Sequence, residues 1–194
     1  MLRRYCLLPH PYLRTPEEPP RLSRSQFAID VPDRLVARAR TGCREAFEQI
    51  YRRFERPVFT LALRICGDRE QAGDVLQDTM LKLFHHLPDF RADCPFWGWL
   101  RQIAVNEALM RLRRRSRQPF TEDSDEVELE GHDVLLPPAA ADAALLGEAL
   151  QKLPDATRSV IWLYHAEGYT HDEIGALMGK TASFSKSQLA RGTR

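Results

Sequence analysis

Cysteine, long apolar runs and an excess of charge are all scarce in this 194-residue chain, and each shortage removes a class of protein. The four cysteines, Cys6, Cys43, Cys66 and Cys94, stand singly. A zinc ribbon needs paired CxxC spacing, and a secreted disulfide scaffold needs a far higher cysteine density. Reduced thiols in a cytoplasm are therefore expected. No apolar run approaches the ~18 residues that indicate a membrane span, so membrane insertion is not expected. The stretch after Arg3 and Arg4 is broken at Pro9 and Pro11 before it reaches the length of an export signal. His85 and His86 are adjacent, hence about 100° apart on a helix, and no HExxH accompanies them. A metal-dependent enzyme thus lacks a ligand set, and no metal or cofactor is expected. Strand signals and internal repeats are also missing. What remains is a globular chain with 43% hydrophobic residues, long enough for one large domain or two small ones.

The charges nearly cancel, with 28 Lys+Arg against 27 Asp+Glu, but they are segregated. Arg111, Arg113, Arg114, Arg115 and Arg117 form a basic block, and an acidic block from Glu122 to Asp133 follows a few residues later. Distribution rather than the sum decides what such a chain attracts. Residues 1–32 are proline-rich and are expected to form an extension without fixed structure. Residues 33–117 show helical periodicity, punctuated by Gly42, Gly67 and Pro95 into four candidate helices. Residues 118–139 combine the acidic block with Gly131, Pro137 and Pro138, as suits a flexible acidic linker. Residues 140–194 are again helical, with breaks at Pro154, Gly168 and Gly179. The expected fold is all-α, two small helical domains joined by that linker.

In the helix after Asp68, Asp68 and Gln71 have capping-box spacing, and Ala72, Leu76, Met80, Leu83 and Leu87 mark a core-facing stripe. Asp74, Gln77 and Asp78 share another face, a compact acidic patch that a solvated helix surface would also explain. A loop-like stretch follows, and Pro95 opens the next helix. Phe90, Phe96, Trp97 and Trp99 lie there beside Arg91 and Arg101, a mixture suited to stacking on unpaired bases while cations hold phosphates. Core packing competes as an explanation; the spacing of Trp99, Leu100, Ile103 and Leu109 assigns Trp99 mainly to the core and leaves Phe90, Phe96 and Trp97 open. The same helix runs through Asn106 into the arginine block. Five arginines in seven residues exceed what capping a helix dipole requires, which points to a phosphate-bearing partner such as DNA or RNA.

Near the C-terminus, Asp155 can cap a helix, and Thr170 with Glu173 forms a second capping-box pattern before Ile174, Leu177 and Met178. After the Gly179 turn, Thr181 or Ser183 can start a polar final helix. This is the helix-turn-helix pattern, whose second helix enters the DNA major groove. Lys186, Gln188 and the serines are competent base-edge or phosphate ligands, although an ordinary solvated helix contains such residues too.

With both halves in view, residues 33–191 resemble the extracytoplasmic-function (ECF) type of bacterial RNA polymerase sigma factor. The segment Arg44 to Tyr51 is similar to the start of the family's first helical region, and Gly73 to Thr79 to its polymerase-binding motif. Trp99 to Asn106 is similar to the helix that reads the promoter's −10 element. Leu153-Pro154 followed by Glu167 to Ile174 resembles the approach to the −35-binding helix-turn-helix. The resemblance implies that Asp74, Gln77 and Asp78 dock on the clamp helices of the largest subunit of core RNA polymerase. It implies that Phe90, Arg91, Phe96, Trp97, Arg101, Asn106, Arg111, Arg113 and Arg114 bind and melt −10 DNA. It also implies that His171, Ser183, Ser185, Lys186, Gln188 and Arg191 contact the −35 element, while Ile174, Leu177 and Leu189 hold the motif together. Ala182 and Ser185 stand where the family usually has larger apolar residues. An anti-sigma factor is the further implied partner, besides core polymerase and promoter DNA. A helix-turn-helix regulator acting without polymerase is the alternative; it accounts for residues 170–191 but not for the acidic patch, aromatic loop and arginine helix of the other domain.

Overall fold

The computed structural model describes residues 29–116 and 138–193, with only the backbone described from 138 to 144. The expectations for the N-terminal extension up to residue 28 and for the linker up to residue 137 fall outside the described residues. All regular structure among the described residues is helical: α1 (Asp33–Arg40), α2 (Arg44–Cys66), α3 (Arg69–His86), a 3-10 turn at Leu87–Asp89, α4 (Phe96–Arg115), α5 (Pro138–Gln151), α6 (Asp155–His165), α7 (His171–Met178) and α8 (Ala182–Gly192).

Local chemistry sets most of the boundaries. Gly67, at φ 72°, ends α2 in the left-handed conformation that glycine adopts without strain. Asp68 then accepts the Gln71 N–H at 2.6 Å and starts α3, as a one-sided cap rather than the reciprocal box. At α7 the box is complete: Thr170 Oγ1 accepts the Glu173 N–H at 3.3 Å, and Glu173 Oε2 accepts the Thr170 N–H at 2.7 Å. Thr181, not Ser183, starts α8 by accepting the Phe184 N–H at 3.3 Å. Asp155 does not cap α6. Pro154 holds that position, and Asp155 Oδ1 accepts instead from Arg158 Nη2 at 2.6 Å.

The main core lies between α2, α3 and α4. Ile50, Phe54, Val58 and Ile65 from α2, Val75 and Leu83 from α3, and Leu100 and Val105 from α4 are essentially inaccessible to water. Each such side chain contributes roughly 1.5–3 kcal/mol by leaving water. Ala104 and Ala108, also fully buried, keep the contact face of α4 narrow, so α2 and α3 can approach it closely.

The C-terminal helices add to this core directly. Val160, Leu163, Tyr169 and Ile174 join the same continuous apolar cluster, so the two helical groups close on each other rather than being tethered only by the linker. Two buried arginines make the seam polar. Arg158 of α6 donates to the α2 carbonyls of Ile65 at 3.2 Å and Cys66 at 2.7 Å. Arg101 of α4 donates to the Glu167 carbonyl at 2.9 Å and pairs with its carboxylate at 3.2 Å. Arg101 also lies 5.1 Å from the centre of the Tyr169 ring, and the Tyr169 hydroxyl donates to Gln102 Oε1 at 3.1 Å.

Candidate polymerase and nucleic-acid interfaces

Asp74 and Asp78 sit one helical turn apart on α3, with side chains 46% and 41% exposed, and Gln77 between them is exposed. Arg111 of α4 reaches across to both. Its Nη1 meets Asp74 Oδ2 at 2.5 Å and its Nη2 meets Asp78 Oδ2 at 3.2 Å. Arg111, expected as a −10 contact, is therefore engaged with the acidic patch in this structure. The α3–α4 seam drew it inward because two like charges at i and i+4 favour a cation between them. Lys82 and the buried Glu107 make a second ion pair along the same seam.

Beside this patch an apolar groove of about 520 Å³ opens, lined by Phe47, Tyr51, Leu76, Gln77, Met80, Leu81 and Phe84 among others. Leu81 and Phe84 are 50% and 57% exposed, unusual for large apolar side chains, and Phe84 meets Phe47 edge to face at 5.2 Å. Sequence reasoning missed the groove. The available signal was that Leu81 and Phe84 follow Gln77 by four and seven residues, outside the core stripe of that helix.

In the aromatic loop Phe90, Phe96 and Trp97, left open between core and surface, are buried, and Trp99 is half-buried and packed against the core. Trp97 stacks on Phe54 at 5.5 Å with planes 12° apart, and Phe90 packs on Trp99 at 4.8 Å. Phe54 in the middle of α2 is the reason, since it recruits the rings at the start of α4 from inside. Of the expected −10 contacts in this loop only Arg91 is exposed. Its neighbour Ala92 is held at φ 60°, a conformation that costs an L-residue roughly 1–2 kcal/mol. Arg101, expected as a −10 contact, is 2% exposed here because Glu167, anchored in turn by Trp162 Nε1 at 3.2 Å, claims its guanidinium. Asn106 is half-buried, while Arg113, Arg114 and Arg115 at the end of α4 are exposed.

The final helix sorts its polar residues by face. Ser185 is fully buried and bonded to His171 Nδ1 at 3.0 Å; His171 itself stacks on Tyr164 at 4.5 Å. Gln188 turns inward to accept the Thr157 hydroxyl at 2.6 Å. Ser185, Gln188 and His171, expected as −35 contacts, are thus each bonded to a partner within the domain. Ser183, Lys186, Ser187 and Arg191, at spacings of three, one and four, form the exposed face of α8; of these only Ser187 is absent from the −35 contacts that the resemblance implies. The turn between α7 and α8 is tight: a Cβ on Gly175 would lie 2.8 Å from the Thr181 carbonyl carbon, so this position requires glycine. We expect Ser185→Ala to lose about 1 kcal/mol, roughly 2–4 °C in Tm, with little change in the salt dependence of promoter binding. Lys186→Ala should leave Tm unchanged and reduce the salt slope of polymerase-bound promoter affinity by about 1, measured by fluorescence anisotropy.

Among the described residues, no group of His, Cys, Asp or Glu could hold a metal ion, and no helix is long and apolar enough to cross a membrane. Burial pushes the Cys66 thiol up to about 12, so it carries no thiolate near neutrality.

One helical group presents an acidic patch beside a basic helix end and the other a helix-turn-helix, the arrangement of a helical DNA-binding protein of the transcription apparatus. Residues 50–118 match the Sigma-70 region 2 family, and residues 143–194 match the Sigma-70, region 4 family. The ECF RNA polymerase sigma factor SigM of Mycobacterium tuberculosis is 31% identical over 157 residues, covering 81% of this chain and 78% of the relative. The RNA polymerase sigma-H factor of Pseudomonas aeruginosa is 28% identical over 168 residues, covering 81% and 87%. Among solved structures, the sigma factor RpoE of Bartonella quintana, in complex with the anti-sigma factor NepR, is 27% identical with a TM-score of 0.50, covering 76% of this chain and 91% of that one. The chain belongs to the ECF RNA polymerase sigma factors, which direct RNA polymerase to promoters and are not enzymes.

Proposed function

We propose that Asp74, Gln77 and Asp78, together with the adjoining groove, form the surface that docks on the clamp helices of the largest polymerase subunit. Arg113 and Arg114, with Asn106 and the Arg91 loop, engage −10 DNA, and the α8 face of Ser183, Lys186, Ser187 and Arg191 reads the −35 element. The observation that carries this reading is on α3, where one exposed face joins carboxylates to an open apolar groove through Gln77. A hydrophobic patch rimmed by charge is the composition of a protein-docking site, not of a phosphate-binding one. The arginines lie on α4 instead, where exposed guanidiniums suit a phosphate backbone.

Each DNA contact surface is small, and specificity arises when polymerase holds both at a fixed separation, so that two weak sites act as one. Phe90, Phe96, Trp97 and Arg101 serve in melting only after region 4 and the aromatic cluster move, because the closed arrangement buries all four. The Bartonella quintana relative is bound by an anti-sigma factor, and the exposed groove offers such a partner an apolar site on this chain. The protein works in the cytoplasm, where core polymerase and its promoters are.

Promoter-dependent run-off transcription with purified core polymerase tests the reading. The intact chain is expected to initiate. Arg113→Ala/Arg114→Ala should bind core normally, yet weaken promoter binding on the order of tenfold or more at moderate salt. A chain that fails to bind core, or a double variant with unchanged promoter affinity and salt slope, overturns the assignment.

A further inference from the structure

We infer that Arg111 is a positioning residue of the polymerase-docking surface, presetting the two carboxylates of α3, and that it is not a −10 DNA contact. This inference rests on the docking assignment proposed above.

The geometry separates Arg111 from its neighbours in the arginine block. Arg113, Arg114 and Arg115 are exposed, with Arg113 Nε donating to the Leu109 carbonyl and Arg114 lying against Met110 Sδ, both within α4. Arg111 instead leaves its own helix. Its side chain is 28% exposed, and its two terminal nitrogens divide between Asp74 at 2.5 Å and Asp78 at 3.2 Å. A planar guanidinium with donors in a fixed fork can span two carboxylates one helical turn apart; an ammonium on a flexible stem holds such a pair less rigidly.

The bonds use only one oxygen of each carboxylate. Both go to Oδ2, leaving Oδ1 of Asp74 and of Asp78 without a partner among the described residues, in side chains that remain nearly half exposed. The fork thus removes the rotational freedom of both aspartates while leaving each an oxygen to offer a cationic partner. It also offsets the mutual repulsion of two like charges at i and i+4, which would otherwise drive the side chains apart. Preset side chains lower the ordering cost of association, so the gain appears chiefly as slower dissociation.

The test uses full-length protein and core polymerase without DNA, with association and dissociation followed by surface-immobilised binding. Arg111→Gln is expected to weaken core binding about tenfold, mainly through faster dissociation, with Arg111→Lys intermediate. In the Asp74→Asn/Asp78→Asn background, Arg111→Gln should add no further loss, a coupling that general destabilisation would not produce. Promoter affinity of holoenzyme assembled at saturating sigma should stay within about twofold for Arg111→Gln. Thermal unfolding of each variant shows whether it is folded at the assay temperature. Normal core binding by Arg111→Gln, or an equal loss in the aspartate-free background, overturns the inference while leaving the docking assignment intact. Normal core binding by Asp74→Asn/Asp78→Asn overturns the docking assignment itself.

Discussion

Asp74→Arg/Asp78→Arg is expected to lower core-polymerase affinity on the order of 100-fold and to reduce promoter-dependent run-off in proportion. Close charge pairs at protein interfaces couple by at least about 1.5 kcal/mol each, so two of them amount to roughly 3 kcal/mol, or two orders of magnitude in affinity. Reversal goes further than removal, because the new arginines repel the cations that the carboxylates attracted. The fold should survive. Both side chains are more than 40% exposed, and the lost pairing with Arg111 plus new repulsion at that seam costs about 1–2 kcal/mol, visible as a few degrees in Tm. Equilibrium binding to core polymerase without DNA separates this from any promoter effect. Retained core affinity in a folded variant would place the docking surface elsewhere, with the apolar groove as the next candidate.

The sequence was legible where a single helix decides the outcome. The core stripe of α3, the Thr170 capping box and the exposed end of α4 each depend on residues within one or two turns, so spacing alone reports them. The illegible parts depend on partners far along the chain. Arg101 is buried by Glu167, which lies 66 residues away, and Arg111 is claimed by Asp74, 37 residues away. No periodicity records such pairings, and a basic residue at the end of a basic helix gives the same pattern whether it faces solvent or a neighbouring helix.

The final helix shows a different limit. Ser183, Ser185, Lys186, Ser187, Gln188 and Arg191 are all polar, so hydropathy could not orient the helix about its axis. Orientation came from the smaller apolar set, Phe184 and Leu189, and from polar groups of α6 and α7 that needed partners inside. Ser185 fills a position where the family resemblance leads one to expect a larger apolar residue, and His171 supplies the hydrogen bond that makes a buried hydroxyl acceptable there. The aromatic loop stayed open for a related reason: with Phe96, Trp97 and Trp99 within four residues, any choice of inward face finds a ring to fill it.

The largest effect on stability is expected at Arg158, which fastens region 4 to region 2. Its guanidinium donates to the Ile65 and Cys66 carbonyls at the C-terminal end of α2, where orphan carbonyls and the helix dipole favour a cation, and to Leu153 and Asp155 in its own domain. Gly67 makes room for it: a Cβ there would lie 2.5 Å from the Arg158 Cζ, and the residue's φ of 72° already disfavours any side chain. Arg158→Ala leaves two α2 carbonyls without their charged donor at a buried seam, a loss of about 3 kcal/mol. For a chain of this size that is roughly 6–12 °C in Tm. Because half of the lost bonds cross between domains, the intact chain should unfold in one calorimetric transition, and Arg158→Ala should separate it into two as the regions uncouple. Gly67→Ala, which displaces the same guanidinium from the opposite side, should act in the same direction, and combining the two should cost much less than their sum. Unchanged melting in both variants would mean that the apolar contacts of Val160, Leu163 and Tyr169 hold the closed arrangement without help from the arginine.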